Sequence, residues 1–192
     1  MVRPIIQIGN PILKADNTHI DHFNSDKVLQ VIQDLKDTMY ETGLIGIAAP
    51  QIGENFHLFI TEPRETPVKP KEQSDILRIY INPVIVRYSE EQAIIYEGCG
   101  SVVNADIFGP VKRPKEVTVE AFDETGKKFK FTADGILGRV IQHEYDHLQG
   151  IEFIEKADDY KKLLNTEFFI QRIKTSKEQI EASVITKQEI QF

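Results

Sequence analysis

Cysteine occurs once in this chain, at Cys99, and that scarcity excludes any internal disulfide. A reducing compartment therefore suits it. Long apolar runs are also missing: no stretch approaches the ~20 residues that cross a bilayer, and the opening MVRPIIQIGN lacks the apolar core and cleavage site of a secretory signal. The chain is accordingly expected to be soluble and cytoplasmic, with no membrane partner and no organelle import segment. An excess of positive charge is absent too. Lys and Arg number 23 against 30 Asp and Glu, a net charge of −7, which argues against nucleic acid as a specific partner because phosphate contacts need a basic stripe. The one compact basic cluster, PVKRPK at 110–115, reads as a solvated loop leading into a strand.

What is present suffices for a core. At 192 residues and 41% hydrophobic, the chain reads as one domain over 1–192 able to bury about 70% of the surface its extended form exposes. Val28, Val31, Ile32, Leu35 and Met39 recur at helical spacing, which predicts a helix over Ser25–Thr42 capped by Asn24 or Ser25 and stopped at Gly43. LIGIAAPQIG at 44–53 is poor in polar side chains and reads as pressed against the core, and NFHLFI at 55–60 as a strand. The proline- and charge-rich stretch 61–75 predicts an exposed loop. Strands follow at 76–91, interrupted at Asn82-Pro83, at QAIIYE, and in a hairpin of KEVTVEAFD and KKFKFTA turning through Glu124-Thr125-Gly126. A second helix is predicted from about Asp134 to Gln149, capped by Thr132 or Asp134 and ended by Gly150. Asp158–Ile173 is a further helical candidate, and 174–192 is a C-terminal tail without an assignable pattern.

Two of the five histidines lie in HEYDH at 143–147. On a helix, residues four apart share a face, so His143 and His147 can aim ring nitrogens at one ion, with Glu144 beside it as general base for an activated water. Ile136 and Val140 on the same helix would wall the site with apolar surface, which lowers the local dielectric and strengthens the ion's field. Three positions compete for a third ligand. Glu167 follows His147 at a distance suited to a zinc endopeptidase; the sixth residue after His147, where an extended zinc motif would place histidine, is Phe153; and Cys99 sits in EGCGS at 97–101, where flanking glycines let the backbone approach an ion. A Cys99, His143, His147 set leaves one tetrahedral position free and admits Fe2+, Zn2+, Ni2+ or Co2+.

GIAAPQIG at 46–53, EGCGS at 97–101 and QHEYDHLQG at 142–150, in this order, resemble peptide deformylase. The resemblance runs roughly from Ile5 to beyond Gly150. It implies an α+β fold, antiparallel strands packed around a central helix that carries the HExxH motif. It also implies one divalent ion, natively Fe2+, on Cys99, His143 and His147; Glu144 as general acid and base; and Gln51 with the Gly100 N–H as donors to a developing oxyanion. The implied reaction removes the formyl group from the N-terminal formylmethionine of new polypeptides and releases formate. The expected partner is thus the N-terminus of a nascent formylated peptide near the ribosome, the enzyme being a monomer or weak homodimer, with Ile45, Gly46, Ile136 and Val140 contacting substrate. A zinc endopeptidase using Glu167 as third ligand and a non-catalytic formyl-peptide-binding module are the other readings.

Two positions depart from the family pattern. Leu44 stands where Gly-x-Gly-x-Ala-Ala has its first glycine, and Gly100 where Glu-Gly-Cys-Leu-Ser has leucine. Leucine is costly at positive φ and is expected to crowd the substrate groove, while Gly100 loses an apolar side chain and loosens its loop.

Overall fold

The computed structural model describes residues 1–64 and 73–192. Helix α1, Asp26–Thr42, begins where Ser25 Oγ accepts from the Val28 N–H and ends at Gly43, whose φ of 71° only glycine adopts without cost. Its apolar stripe, Val28, Val31, Ile32, Leu35 and Met39, packs on Ile47, Leu58, Ile60, Ile79 and Ile81 in one core cluster.

Those isoleucines and leucines belong to strands β1 (Gly46–Ala48), β2 (Leu58–Thr61) and β3 (Arg78–Tyr88). With β6 (Glu116–Phe122), β7 (Lys128–Asp134) and β9 (Gln188–Gln191) they form a six-stranded sheet of order β1-β2-β3-β6-β7-β9, antiparallel at every pairing. A second antiparallel sheet of order β4-β5-β8 contains β4 (Gln92–Gly98), β5 (Ile107–Pro114) and β8 (Leu164–Asn165). Asn82-Pro83 does not end β3 but makes a bulge in it. Register shifts there, and Asn82, at φ 49°, exchanges two side-chain hydrogen bonds with the Ile20 backbone at 2.9 Å each.

Helix α2, Gly135–Leu148, lies between the two sheets. Leu137, Ile141 and Leu148 join Phe59, Tyr80, Val119 and Phe131 of the larger sheet in a second core cluster. The opposite side of the helix turns Arg139 to the carbonyls of Ala93 in β4 and Val111 in β5. No helix among the described residues is long and apolar enough to cross a membrane.

Several sequence expectations are corrected. The cluster at 110–115 is no solvated loop: it lies mostly in β5, where the two-residue period turns Val111 and Arg113 inward and leaves Lys112 outside. Asp134 stands at the N-cap position of α2, but its side chain makes no capping hydrogen bond. Its carboxylate accepts instead from the backbone N–H groups of Thr186 (2.7 Å) and Lys187 (2.9 Å), tying down the segment that leads into β9. The helical candidate at 158–173 is α-helical only over α3, Thr166–Arg172, after a single 3-10 turn at Tyr160–Lys162, because Asn165 caps α3 and β8 pairing with β5 takes the two residues before it. Within 174–192 the chain forms α4, Lys177–Ser183, and then β9. Of the connection expected at 61–75, residues 65–72 lie outside the described residues, and its ends are buried at Thr61 and Gln73 rather than exposed.

The expected frame, antiparallel strands packed around a central helix that carries the HExxH motif, is also corrected. The α+β class and the antiparallel sheets are present, but the site is a buried Cys-His-His triad of Cys99, His143 and His147. One face of one helix supplies only two of these donors. The third has to come from another element, and it comes from the end of the smaller sheet.

Candidate metal centre

Cys99 follows β4 and is 2% exposed. His143 and His147 stand one turn apart on α2 and meet it there, so that one ligand atom from each of the three lies within 4.8 Å of the others. Cys99 Sγ is 3.2 Å from His147 Nε2, close to the separation of two donors sharing a tetrahedral ion with bonds of about 2.3 Å to sulfur and 2.0–2.1 Å to nitrogen. The thiol also accepts from the Ser101 N–H at 3.4 Å and from Gln51 Nε2 at 3.6 Å. Burial alone would raise its pKa, but the charge of His147 and the hydrogen bonds of both imidazoles hold it down at about 6. Burial likewise opposes protonation of His143, yet its bonds to Cys99 and Glu97 raise it to about 10. The three residues fit, and hold, a single divalent ion.

Charge behind the site is arranged to fix the imidazoles. Glu97 Oε2 receives His143 Nδ1 at 2.9 Å and Arg113 Nη2 at 3.0 Å; its Oε1 receives Arg113 Nε and Arg139 Nη1 at 2.8 Å each. Arg113 also donates to Asp146, and Lys156 Nζ reaches Asp146 Oδ1 at 2.7 Å. A metal-binding imidazole anchored in this way presents a fixed nitrogen to the ion. Sequence reasoning missed Arg113 and Arg139 in this role. Glu97 carried a signal, since it opens the EGCGS segment two residues before the cysteine.

Glu144 is buried, and burial raises its carboxyl pKa to about 7. Its Oε2 has no hydrogen-bond partner among the described residues. The side chain lies against Gly46, where an added β-carbon would stand 2.7 Å from Glu144 Oε1 and 2.5 Å from Val140 Cγ1. Gly46 is thus the floor on which Glu144 rests. Gln51 is held by its own backbone geometry: Oε1 accepts from the Ala48 N–H at 2.8 Å, which turns Nε2 toward Cys99 and toward Ser101 Oγ at 3.2 Å. Gly100 is buried beside the cysteine, Ile45 and Ile136 are half-buried, and Val140 is buried one turn before Glu144.

Glu167 takes no part. It is exposed on α3, bonded by Gln171 Nε2 at 3.1 Å, and lies outside the ligand cluster, which leaves the endopeptidase reading without its third ligand. Phe153, at the other rejected position, packs its ring against His143 with centroids 6.3 Å apart.

The chain as a whole is similar to known proteins. A family model described as polypeptide deformylase matches residues 2–163. A peptide deformylase of Pseudothermotoga lettingae is 39% identical over 155 residues, covering 81% of this chain and 82% of its own length. That of Fusobacterium nucleatum is 38% identical over 186 residues, covering 93% and 100%. Among solved structures, the Met-Ala-Ser-bound class I type b peptide deformylase of Acinetobacter baumannii superposes with a TM-score of 0.74 at 32% identity, covering 81% of this chain and 98% of that one. The peptide deformylase of Thermotoga maritima gives 0.72 at 27% identity, covering 83% and 99%.

Proposed function

Since this chain belongs to the peptide deformylase family, we infer that it catalyses metal-dependent removal of the N-formyl group from nascent polypeptides, releasing formate. The observation that carries this reading is the buried Cys99, His143 and His147 cluster with an uncommitted carboxylate, Glu144, beside it. When bound, the divalent ion supplies Lewis acidity and lowers the pKa of water.

The chain's own groups do the rest. Glu144, poised near neutrality by burial, takes a proton from the attacking water and returns it to the departing amine. Gln51 Nε2, which reaches Cys99 Sγ, and the N–H of Gly100, the residue after Cys99, donate to the oxygen on which negative charge develops. Gln51 is held through its Oε1 by the Ala48 N–H and the Gly100 carbonyl by Gln7 Nε2 at 2.9 Å, so little reorganisation is needed at the reacting centre. Ile45, Ile136 and Val140 form the apolar surface for the methionine side chain, with Gly46 a further substrate contact. A formyl group carries only hydrogen beyond its carbonyl, which lets a tight cleft admit it and refuse larger acyl groups. Because the substrate is the start of a growing chain, the reading places the enzyme in the cytoplasm near the ribosome, acting as a monomer or weak homodimer, with Fe2+ as the native ion.

The test is anaerobic formate release from formyl-Met-Ala, with metal content measured on the same sample. Metal-replete protein that binds formylated peptides but releases no formate would establish the non-catalytic binding module instead.

A further inference from the structure

Both metal-binding histidines turn their far ring nitrogen toward a carboxylate, and the two carboxylates are differently occupied. Glu97, behind His143, is saturated by two guanidinium groups as well as the imidazole. Glu152, behind His147, is 0% exposed, and neither of its oxygens has a hydrogen-bond partner among the described residues. It faces His147 Nδ1, 3.5 Å from Oε2, and that nitrogen is likewise unpartnered.

A carboxylate taken out of water without a donor is expensive, and a fold keeps one only where positive charge completes it. Glu152 cannot swing out to solvent. Its N–H donates to Glu155 Oε1 at 2.8 Å, its carbonyl accepts from the Glu155 N–H at 2.9 Å, and the next residue, Phe153, is 1% exposed. The charge that is missing is the ion's. A divalent cation and one thiolate leave a net single positive charge; Glu97 is already matched by Arg113 and Arg139, and Glu144 has to stay free for proton transfer.

We propose that Glu152 is the positioning residue of His147: its carboxylate holds the Nδ1 proton, which leaves Nε2 as the ligand nitrogen, and it offsets the charge of the bound ion. The proposal rests on the metal-site reading above. It makes the turn after α2 part of the metal centre, with a carboxylate behind each imidazole.

Wild type, Glu152→Leu and Glu152→Gln, each loaded with zinc alone, separate this role from a structural one. Three quantities are compared: the melting temperature of the ion-free protein, the rate of zinc release to a chelator, and the nitrogen-bound proton resonances of the His147 ring. Glu152→Leu is expected to release zinc about 10–100-fold faster, with no fall in the ion-free melting temperature, because an uncompensated buried charge has been removed. Glu152→Gln keeps an acceptor oxygen and should release zinc at an intermediate rate while retaining the Nδ1 proton. Release from Glu152→Leu as slow as from wild type overturns the proposal, and so does faster release that merely tracks a lowered ion-free melting temperature. Should Glu152→Leu not fold, a wild-type His147 lacking the Nδ1 proton in the zinc form overturns it independently. Wild type that takes up no stoichiometric zinc is a distinct result, sinking the metal centre itself.

Discussion

Leu44 occupies the space beside Gly100: a β-carbon built on Gly100 would stand 3.1 Å from Leu44 Cδ1 and 3.6 Å from its Cδ2. The two departures from the family pattern are therefore neighbours in space, and each explains the other. An apolar side chain absent at 100 is supplied from 44. The strain expected of Leu44 is not there either, since the positive φ falls on Gly43 and Leu44 is not among the positive-φ residues. Arg64 Nη2, donating to the Leu44 carbonyl at 2.8 Å, holds the segment in place. Gly100→Leu alone is expected to overpack the site and cost about 1–3 kcal/mol. Combined with Leu44→Gly it should regain much of that loss, so thermal melts of the two single variants and the double give a favourable coupling. Additive effects would show that the pair is not an exchange.

Glu144 and Cys99 fail differently. Glu144→Gln removes the proton acceptor but no ligand, and should keep one metal per chain while formate release falls about 10²–10⁴-fold. Cys99→Ala removes a ligand and should lower metal occupancy itself. Elemental analysis beside the activity assay distinguishes them, and undiminished turnover by Glu144→Gln would remove Glu144 from its role.

Glu97 ties acid stability to the site. Burial would raise its pKa, but the charge of Arg113, then the His143 and Arg113 hydrogen bonds, hold it well below the ordinary carboxylate range. A depressed acid stabilises the fold above its unfolded pKa, and that contribution is lost as pH falls toward the folded value. Ion-free wild type should therefore lose stability on acidification below about pH 4.5, the ordinary glutamate range, with Glu97→Gln showing a flatter slope. At neutral pH the same change leaves two buried guanidinium groups undercompensated and should cost about 3–5 kcal/mol. Denaturant titrations at several pH values measure both.

Gly46→Ala tests the floor beneath Glu144. The new methyl would overlap Val140 Cγ1 and Glu144 Oε1, costing about 1–3 kcal/mol and displacing the carboxylate. Formate release should fall with metal content unchanged. Full activity in this variant would mean that Glu144 does not need its place against the strand.

The elements that local pattern controls were legible. The 3.6-residue period wrote α1 and put His143 beside His147 on α2, and alternation wrote β6 and β7 with their turn. Capping was legible only where the side chain had no better partner: Ser25 serves α1, but Asp134 was drawn to Thr186 and Lys187, more than fifty residues away. Arg113 looked like part of a solvated basic cluster because composition does not reveal which side of a strand faces in, nor that Glu97 would be waiting there.

By itself the sequence determined a pair of imidazoles at one helical spacing, a single thiol between glycines, and the family to which those segments are similar. The resemblance already pointed to Cys99 as the third ligand, and only the tertiary structure decided that Gly46 supports Glu144 and that Glu97 and Glu152 stand behind the ligands. Spacing along a helix is set by backbone hydrogen bonds within one turn. Contacts between residues far apart in the chain are set by which faces of two sheets and a helix are buried together, and no local rule encodes that.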